Sequence, residues 1–197
     1  MYRWLAILIV ALVFGALSGG AAYQKVQPQG ARPSGNREAW REITSHEPSW
    51  REITWPFPRD GWPAGRAFHC DAAACGTEAE LYVRPKIGFC NCDTGVADDD
   101  EVDRVADLDL MSKRFVPLAA GHVIKVAGLT GRSRGYDLRM ADGSRRTAVG
   151  FALSHHCDLM VAVVQGEGSA PAVQHVAEDF LNSEPMLRWM KSELDNG

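Results

Sequence analysis

The segment Asp158-Leu-Met-Val-Ala-Val-Val164 decides the fold of this chain, because every residue after its aspartate is apolar. A short apolar run of this kind is typical of a strand in the middle of a sheet. The segment before it, Arg145-Arg-Thr-Ala-Val-Gly-Phe-Ala-Leu153, predicts another strand, and Ser154-His-His-Cys157 predicts a turn or bend between the two. We therefore expect residues 158–164 at the centre of the sheet.

Two more strands precede this pair and complete an antiparallel meander. They are predicted at His122-Val-Ile-Lys-Val-Ala127 and Gly135-Tyr-Asp-Leu-Arg-Met140. The connection Ala141-Asp-Gly-Ser144 carries the Asp-Gly pair that favours a tight hairpin turn. We therefore expect each strand between residues 122 and 164 to pair with the next strand along the chain.

A further pair of strands is predicted nearer the N-terminus. Residues 66–70 and 79–90 lie on either side of a loop that carries Cys70 and Cys75. Apolar and polar side chains alternate along the second of these segments, which indicates a strand with one buried face. Its Pro85 lacks an amide proton, so this strand is expected at an edge or at a bulge.

Along the chain, one helix is predicted before the meander and two are predicted after it. Residues 98–110 begin with acidic side chains, which the dipole of a helix favours in its first turn. Ser169 can cap a helix whose apolar stripe consists of Val173, Val176, Ala177, Phe180 and Leu181. A second C-terminal helix is predicted from Leu187, Met190 and Leu194. The fold class is therefore α+β, with residues 65–197 forming one small domain whose C-terminal helices pack on one face of an antiparallel sheet.

The composition is that of an ordinary globular protein. The chain has 197 residues, 25 acidic and 21 basic side chains, a formal net charge of -4 and 46% hydrophobic residues. These values exclude a disordered polyelectrolyte, a collagen-like fibre and a multi-span membrane protein. An acidic chain lacks the concentrated cationic face that binds phosphates, so no nucleic-acid partner is expected.

Two charged runs favour solvated surfaces over binding sites. The acidic residues between 98 and 109 lack the glycine and the final glutamate of a calcium loop, and indicate the charged face of a helix. A group of arginines lies on the predicted hairpin. We interpret this group as a solvated face of the sheet; the alternative is a surface that binds lipid headgroups or an acidic partner. The group consists of Arg132, Arg134, Arg139, Arg145 and Arg146.

Residues 1–22 predict a transmembrane helix or a signal peptide. Residues 4–22 carry no charge and come after the positive Arg3. As a helix they span about 28 Å, close to the ~30 Å hydrocarbon core of a bilayer, whereas their last small residues fit a signal-peptide cleavage site. Both alternatives, an anchor in the inner membrane and a cleaved leader, place the bulk of the chain on the periplasmic, extracytoplasmic side.

The next two segments link the leader to the domain. Residues 23–38 are rich in Gly, Pro, Gln and charges and predict a flexible linker. Residues 39–64 form a Trp- and Pro-rich docking segment in which Trp40-Arg-Glu-Ile-Thr44 recurs as Trp50-Arg-Glu-Ile-Thr54. The repeat indicates either two amphipathic turns that pack on the domain or a tandem motif that binds a protein partner. The candidate contact residues are Trp40, Trp50, Trp55 and Trp62.

The cysteines predict disulfides. In an exported chain, four cysteines within 23 residues are typical of a disulfide framework, and the candidates are Cys70, Cys75, Cys90 and Cys92. The total of five leaves one thiol unpaired. Cys90 and Cys92 are not expected to bridge each other, because extended backbone separates residues two apart. Each is expected to pair with Cys70, Cys75 or Cys157.

The same side chains suggest an alternative, a site for copper or zinc or for thiol redox chemistry. Two copies of the tripeptide His-Cys-Asp begin at His69 and His156, and thiolate with imidazole is ligand chemistry for both metals. The spacing matches no standard zinc or haem motif. Disulfides are therefore preferred, and no cofactor, metal or catalytic residue is predicted. The alternative ligand set is His69, Cys70, Cys75, Cys90, Cys92, His156 and Cys157.

The sequence therefore favours a binding function over catalysis. No acid–base pair, activated nucleophile or cofactor fingerprint stands out in it. A membrane tether, a Trp repeat and the Pro-aromatic loop of residues 55–63 are typical of a docking module. We expect a membrane-anchored interaction or assembly factor that acts by protein contact, with a periplasmic metal-binding or thiol-redox protein as the alternative.

Overall fold

The computed structural model describes residues 50–58 and 60–196, and its largest element is an eight-stranded antiparallel sheet. The strands are β1 (Arg51–Ile53), β2 (Arg66–Cys70), β3 (Ala79–Lys86), β4 (Phe115–Pro117), β5 (His122–Val126), β6 (Leu129–Arg139), β7 (Arg145–His155) and β8 (Asp158–Gly166). The helices are α1 (Ala72–Cys75), α2 (Asp99–Val105), α3 (Leu108–Met111), α4 (Ala170–Leu181) and α5 (Glu184–Asp195). The predicted leader, the predicted linker and Trp40 lie outside the described residues.

Strand β8 lies inside the sheet, as its composition predicts. The strand order is β1-β2-β3-β8-β7-β6-β4, and β5 also pairs with β6. Strand β8 pairs with β3 on one side and with β7 on the other, in both cases antiparallel. Its residues from Leu159 to Gly166 are all buried. Because successive side chains point to opposite faces, both faces of the sheet must be covered by other elements.

Helices cover both faces of the sheet. Helices α4 and α5 pack on one face, through buried residues such as Val173, Leu181 and Met190, which confirms the predicted position of the C-terminal helices. Helices α2 and α3 pack on the opposite face, which we call the α2 face. Gly150 of β7 permits the close approach of α2, since a Cβ atom there would lie 2.7 Å from the Cβ of Ala106.

Strand β6 begins at Leu129, well before the predicted start at Gly135. Val126 pairs with Leu129, so Ala127 and Gly128 form a two-residue turn, with φ angles of 57° and 79°. Positive φ at both central residues is the geometry of a type I′ hairpin. An alanine at the first position conceals this turn in the sequence. The predicted hairpin turn at residues 141–144 is confirmed between β6 and β7.

The single helix predicted over residues 98–110 is wrong. Helices α2 and α3 are separated by Asp107, whose φ of 58° lies in the left-handed region. Its carboxylate accepts hydrogen bonds from Arg84 and Lys86 of β3. Aspartate tolerates this backbone conformation better than most residues. The predicted helix is therefore interrupted at Asp107, the residue whose carboxylate binds the two cations of β3.

The amphipathic turn expected at the second copy of the repeat is also wrong. Residues Arg51–Ile53 form β1, an edge strand that pairs with β2 in the register Arg51↔His69 to Ile53↔Ala67. The Trp50 ring stacks on Phe180 of α4, with 5.0 Å between the ring centroids. The sheet therefore begins before the boundary predicted at Gly65.

Two disulfides close loops in the described domain. Cys70 bridges Cys75, and Cys92 bridges Cys157. Cys90 is a free thiol, so the expectation that it would form a bridge is wrong, whereas the expected pairing of Cys92 with one of the other candidates is confirmed. The amide of Cys90 donates a hydrogen bond to the Cys157 carbonyl over 2.9 Å, so this thiol lies next to the second bridge.

The two bridges are expected to contribute unequally to stability. Cys92 and Cys157 are 65 residues apart and Cys70 and Cys75 are 5 apart. Because loop-closure entropy grows with loop length, we expect C92S/C157S to lower the free energy of unfolding by about 4 kcal/mol and C70S/C75S by about 2 kcal/mol. Urea unfolding measures both, with C90S as the control that breaks no bridge. Equal losses from the two double variants would contradict the expectation.

Candidate functional site beside the Cys92–Cys157 bridge

The suggested metal ligands lie at opposite ends of the sheet. Cys70 pairs with Ala79 at the start of β3, whereas Cys157 directly precedes β8, which meets the other end of β3 at Lys86. The length of β3 separates them by roughly 23 Å, at ~3.3 Å per residue. Among residues 50–58 and 60–196, no three His, Cys, Asp or Glu side chains are placed to hold a metal ion. The structure thus divides the suggested set into two groups, His69 with Cys70 and Cys75, and Cys90 and Cys92 with His156 and Cys157.

The loop before α2 holds the second of these groups in place. The side-chain oxygen of Asn91 accepts hydrogen bonds from the amides of Asp93 and Thr94, which forms a tight turn after Cys90. The Ser154 hydroxyl of β7 accepts a hydrogen bond from the Val96 amide over 2.9 Å. Between them, Gly95 has a φ of 60°, and a Cβ atom there would lie 2.6 Å from the Ser154 oxygen. Only glycine fits this position without displacing the loop.

An open cavity of about 520 Å³ lies between this loop and the ends of β5, β6 and β7. Its walls carry hydroxyl groups, two imidazoles and Cys92 of the bridge. The residues that matter here are Cys92, Thr94, Val123, Thr130, Ser154 and His156. A cavity of this size and polarity fits a small polar molecule or a side chain of another protein.

Two histidines stand at the rim of this cavity. His156 has a φ of 52° in the turn between β7 and β8, and its ring lies 4.6 Å from that of His155, centroid to centroid. Nε2 of His155 lies 3.2 Å from a carboxylate oxygen of Asp195, at the end of α5. The C-terminal helix therefore contacts the His155 ring through a carboxylate.

The Cys90 thiol is partly sheltered beside the bridge. Its side chain packs with the apolar residues of the α2 face. Burial raises the pKa of the Cys90 thiol, a hydrogen bond with Ser154 opposes this, and the charges of Glu101 and Asp158 add to the rise. Since the thiolate is the reactive form, this environment suppresses the reactivity of Cys90 at neutral pH.

Four buried or half-buried charges lie next to this region on the α2 face. The Arg84 guanidinium donates to both oxygens of Asp107 and to both oxygens of Asp60, at 2.6–2.9 Å. Lys86 Nζ donates to Asp107 and to the Val105 carbonyl. The group contains two positive and two negative side chains, so its formal charge is balanced. Pairing of this kind is what permits Arg84 and Lys86 to be 2% and 5% exposed.

The charge group fixes the Pro-aromatic loop on the sheet. Asp60 belongs to this loop, and Arg84 holds it at the point where Trp55 packs on Phe57 and Tyr82. Trp62 contacts Phe89 at 5.2 Å between ring centroids, which links the Pro-aromatic loop to the segment that carries Cys90 and Cys92.

The predicted contact residues Trp50, Trp55 and Trp62 are all half-buried against other aromatic side chains. For these three residues the packing interpretation is therefore the better one. Trp40 lies outside the described residues.

Helix α2 pairs with two of the five arginines of the predicted face. Arg132 contacts Asp99 at 2.6 Å, and Arg134 contacts Asp103 at 2.8 Å. Asp103 also accepts a hydrogen bond from the buried Tyr136 hydroxyl. The acidic helix and these two arginines of β6 thus form one ion-paired interface, although they lie far apart in the sequence.

Sequence reasoning missed the charge group because alternation along β3 suggested that Arg84 and Lys86 face solvent. Their partners lie in other segments, Asp60 next to Arg59 and Asp107 within the acidic run, so no local pattern marks them. Only the topology, which places both aspartates beside β3, shows the group.

Comparison with known proteins assigns no family. No protein-family model matches the chain, and no curated protein matches its sequence. Among solved structures, the chain resembles the protein of unknown function PA94 from Pseudomonas aeruginosa, with a TM-score of 0.32 and 12% sequence identity. The match covers 68% of this chain and 78% of that one. A likeness this slight assigns neither a fold family nor a function.

The Asp60–Arg84 contact is expected to make the domain sensitive to acid. Hydrogen bonds from Arg84 lower the pKa of Asp60 to about 2, from 3.8. A lowered pKa adds stability above pH 3.8 that is lost as the pH falls through 2. We expect D60N to be about 1 kcal/mol less stable than wild type at pH 7, with a gap that closes towards pH 2.

Urea unfolding monitored by tryptophan fluorescence at pH 7, 4 and 2 measures this difference. D109N, at an exposed position, is the matched control. A gap of constant size across the three pH values would contradict the expectation.

Proposed function

We propose that this protein is an exported, membrane-anchored module that acts by contact with a protein partner. The two disulfides support the compartment, because such bridges persist in oxidising surroundings outside the cytosol. The uncharged leader at residues 4–22 supports the anchor. In the described part of the chain, no helix has the length and apolar character needed to cross a bilayer.

A small apolar surface at the end of the sheet supports the contact role. Val116 and Leu118 are 62% and 54% exposed, in and next to the edge strand β4. They alternate with Phe115 and Pro117, so both project on the face that carries α4. Leu118 lies beside Gly135 and Ala170, since a Cβ atom on Gly135 would lie 3.8 Å from Leu118 Cδ1 and 3.0 Å from the Ala170 Cβ. Neighbouring exposed aliphatic side chains of this kind are typical of a protein-contact surface.

Side-chain contact fits this edge better than addition of a strand. The amides of Leu118 and Arg139 form the inward hydrogen bonds of the β4–β6 ladder, so Pro117 points its backbone outward. Proline has no amide proton to offer an added strand. We therefore propose that the partner packs on Val116 and Leu118.

The contact role predicts a selective loss of partner binding. We expect V116S/L118S to release a partner that the wild-type chain captures from native membranes, because the variant removes the apolar contact. K125S is the control, since Lys125 is exposed on β5, on the opposite face, and does not line the cavity. A capture profile identical for both variants and wild type would contradict the proposal.

The compartment has its own test. The full-length chain is expected in the membrane fraction, degraded by protease added to spheroplasts, with one alkylatable thiol without reductant. A soluble cytosolic chain with five reduced thiols would overturn the proposed location.

A second candidate function is thiol–disulfide exchange, favoured by the free Cys90 next to the Cys92–Cys157 bridge. In this step the thiolate fraction of Cys90 attacks the sulfur of Cys157, and the raised pKa of Cys90 makes the step slow at neutral pH. A Cys90–Cys157 bond forms, the Cys92–Cys157 bond breaks, and Cys92 leaves as a thiolate that takes the proton lost by Cys90. No oxidant or reductant is consumed, and the free thiol moves from a half-buried to an exposed position.

Exchange predicts that Cys90 replaces Cys92 when Cys92 is removed. We expect the exported C92S variant to contain a Cys90–Cys157 bridge and no free thiol, as measured by alkylation and mass spectrometry without reductant. C90S, which keeps the original bridge, is the control. Two alkylated thiols in C92S, at Cys90 and Cys157, would contradict the exchange.

A further inference from the structure

Strand β1 fills a slot on the outer side of β2 through three kinds of contact. The Trp50 ring stacks on Phe180, which itself packs on Phe68 of β2. Glu52 accepts two hydrogen bonds from the Arg66 guanidinium, at 2.6 and 2.9 Å. Ile53 packs with the apolar residues of the α2 face. The slot therefore selects an aromatic residue, then a glutamate two residues later, then an aliphatic residue.

Residues 40–44 satisfy the same three requirements, because Trp40-Arg-Glu-Ile-Thr44 is identical to Trp50-Arg-Glu-Ile-Thr54. Identical side chains in the same register would make the same stack on Phe180 and the same ion pair with Arg66. We propose that the outer side of β2 accepts either copy, so that Trp40–Thr44 replaces Trp50–Thr54 as the edge strand of its own chain.

The two occupants differ in the length of chain that joins them to the Pro-aromatic loop. After Thr54 the chain continues directly into Trp55 and Phe57, and then into Asp60, which Arg84 holds. With Trp40–Thr44 in the slot, ten more residues join the slot to that loop. Because the cost of loop closure rises only with the logarithm of length, this longer connection lowers the preference for Trp40–Thr44 without abolishing it. The second copy is therefore the resting occupant and the first is the substitute.

A covalently attached copy outcompetes a copy on another molecule. A short linker gives the attached segment an effective concentration in the millimolar range. The exchange also shifts the domain by ten residues along its tether, which is about 33 Å of extended chain. This last consequence rests on the proposed membrane anchor, whereas occupancy of the slot does not.

The test uses full-length W40A, W50A and W40A/W50A, with thermal melts and hydrogen exchange read by mass spectrometry. We expect W40A to match wild type. In W50A, slow exchange should move from residues 51–53 to residues 41–43 while β2 stays protected. The Tm of W50A should fall by less than half the fall in the double variant. F180A is the matched control, because it removes the stacking partner of both copies, and adding W40A or W50A to it should change little.

Three results would overturn the proposal. One is a W50A variant as destabilised as W40A/W50A, and another is fast exchange at residues 41–43 in W50A. The third is a dimeric W50A by light scattering, because the first copy would then occupy another molecule. Should the tryptophan variants fail to fold, E42K, E52K and E42K/E52K repeat the test through the ion pair with Arg66. There each single variant should keep β2 protected and the double variant should lose that protection.

Discussion

Strand β8 has no polar face, and this constraint organises the rest of the domain. Its buried run from Leu159 to Gly166 requires cover on both sides of the sheet. The C-terminal helices supply one cover from a single continuous segment. The other cover consists of three separate segments: the Pro-aromatic loop, the loop that carries Cys90 and Cys92, and helices α2 and α3. Such a composite layer needs interactions that hold its segments together, and the buried ion pairs of Arg84 and Lys86 with Asp107 lie there.

Arg84 and the Cys92–Cys157 bridge fasten that composite layer in different ways. Arg84 joins the Pro-aromatic loop to the break between α2 and α3 through two carboxylates. The bridge joins the cysteine-bearing loop to the turn before β8. Phe89 connects the Arg84 ion pairs with the disulfide, since its ring contacts Trp62 of the Pro-aromatic loop and it directly precedes Cys90 in the sequence. The free thiol and the neighbouring cavity therefore lie where several segments meet, not on a single element.

The sequence predicts the elements that depend on local patterns. The strands from β5 to β8, the Asp-Gly turn and both C-terminal helices result from periodicity and turn chemistry, and these are confirmed. The prediction fails where a contact with a residue distant in the sequence determines the conformation or the burial of a side chain. Ala127 conceals a hairpin turn, Asp107 interrupts a helix because β3 offers it two cations, and Arg84 looks solvent-exposed until two carboxylates reach it. The pairing of Cys92 with Cys157 is likewise fixed by topology and not by spacing.

The position of β1 has a mechanical consequence for a chain held by its N-terminal side. A pulling force would reach this outermost strand first and would peel three residues from β2 one pair at a time, which takes little force. The load would next reach the packing of Trp55 and Phe57 on Tyr82, and then Asp60, where two hydrogen bonds to a buried guanidinium must break together. The domain would therefore yield in two stages, a compliant one that lengthens the connection and a stiff one that protects the core.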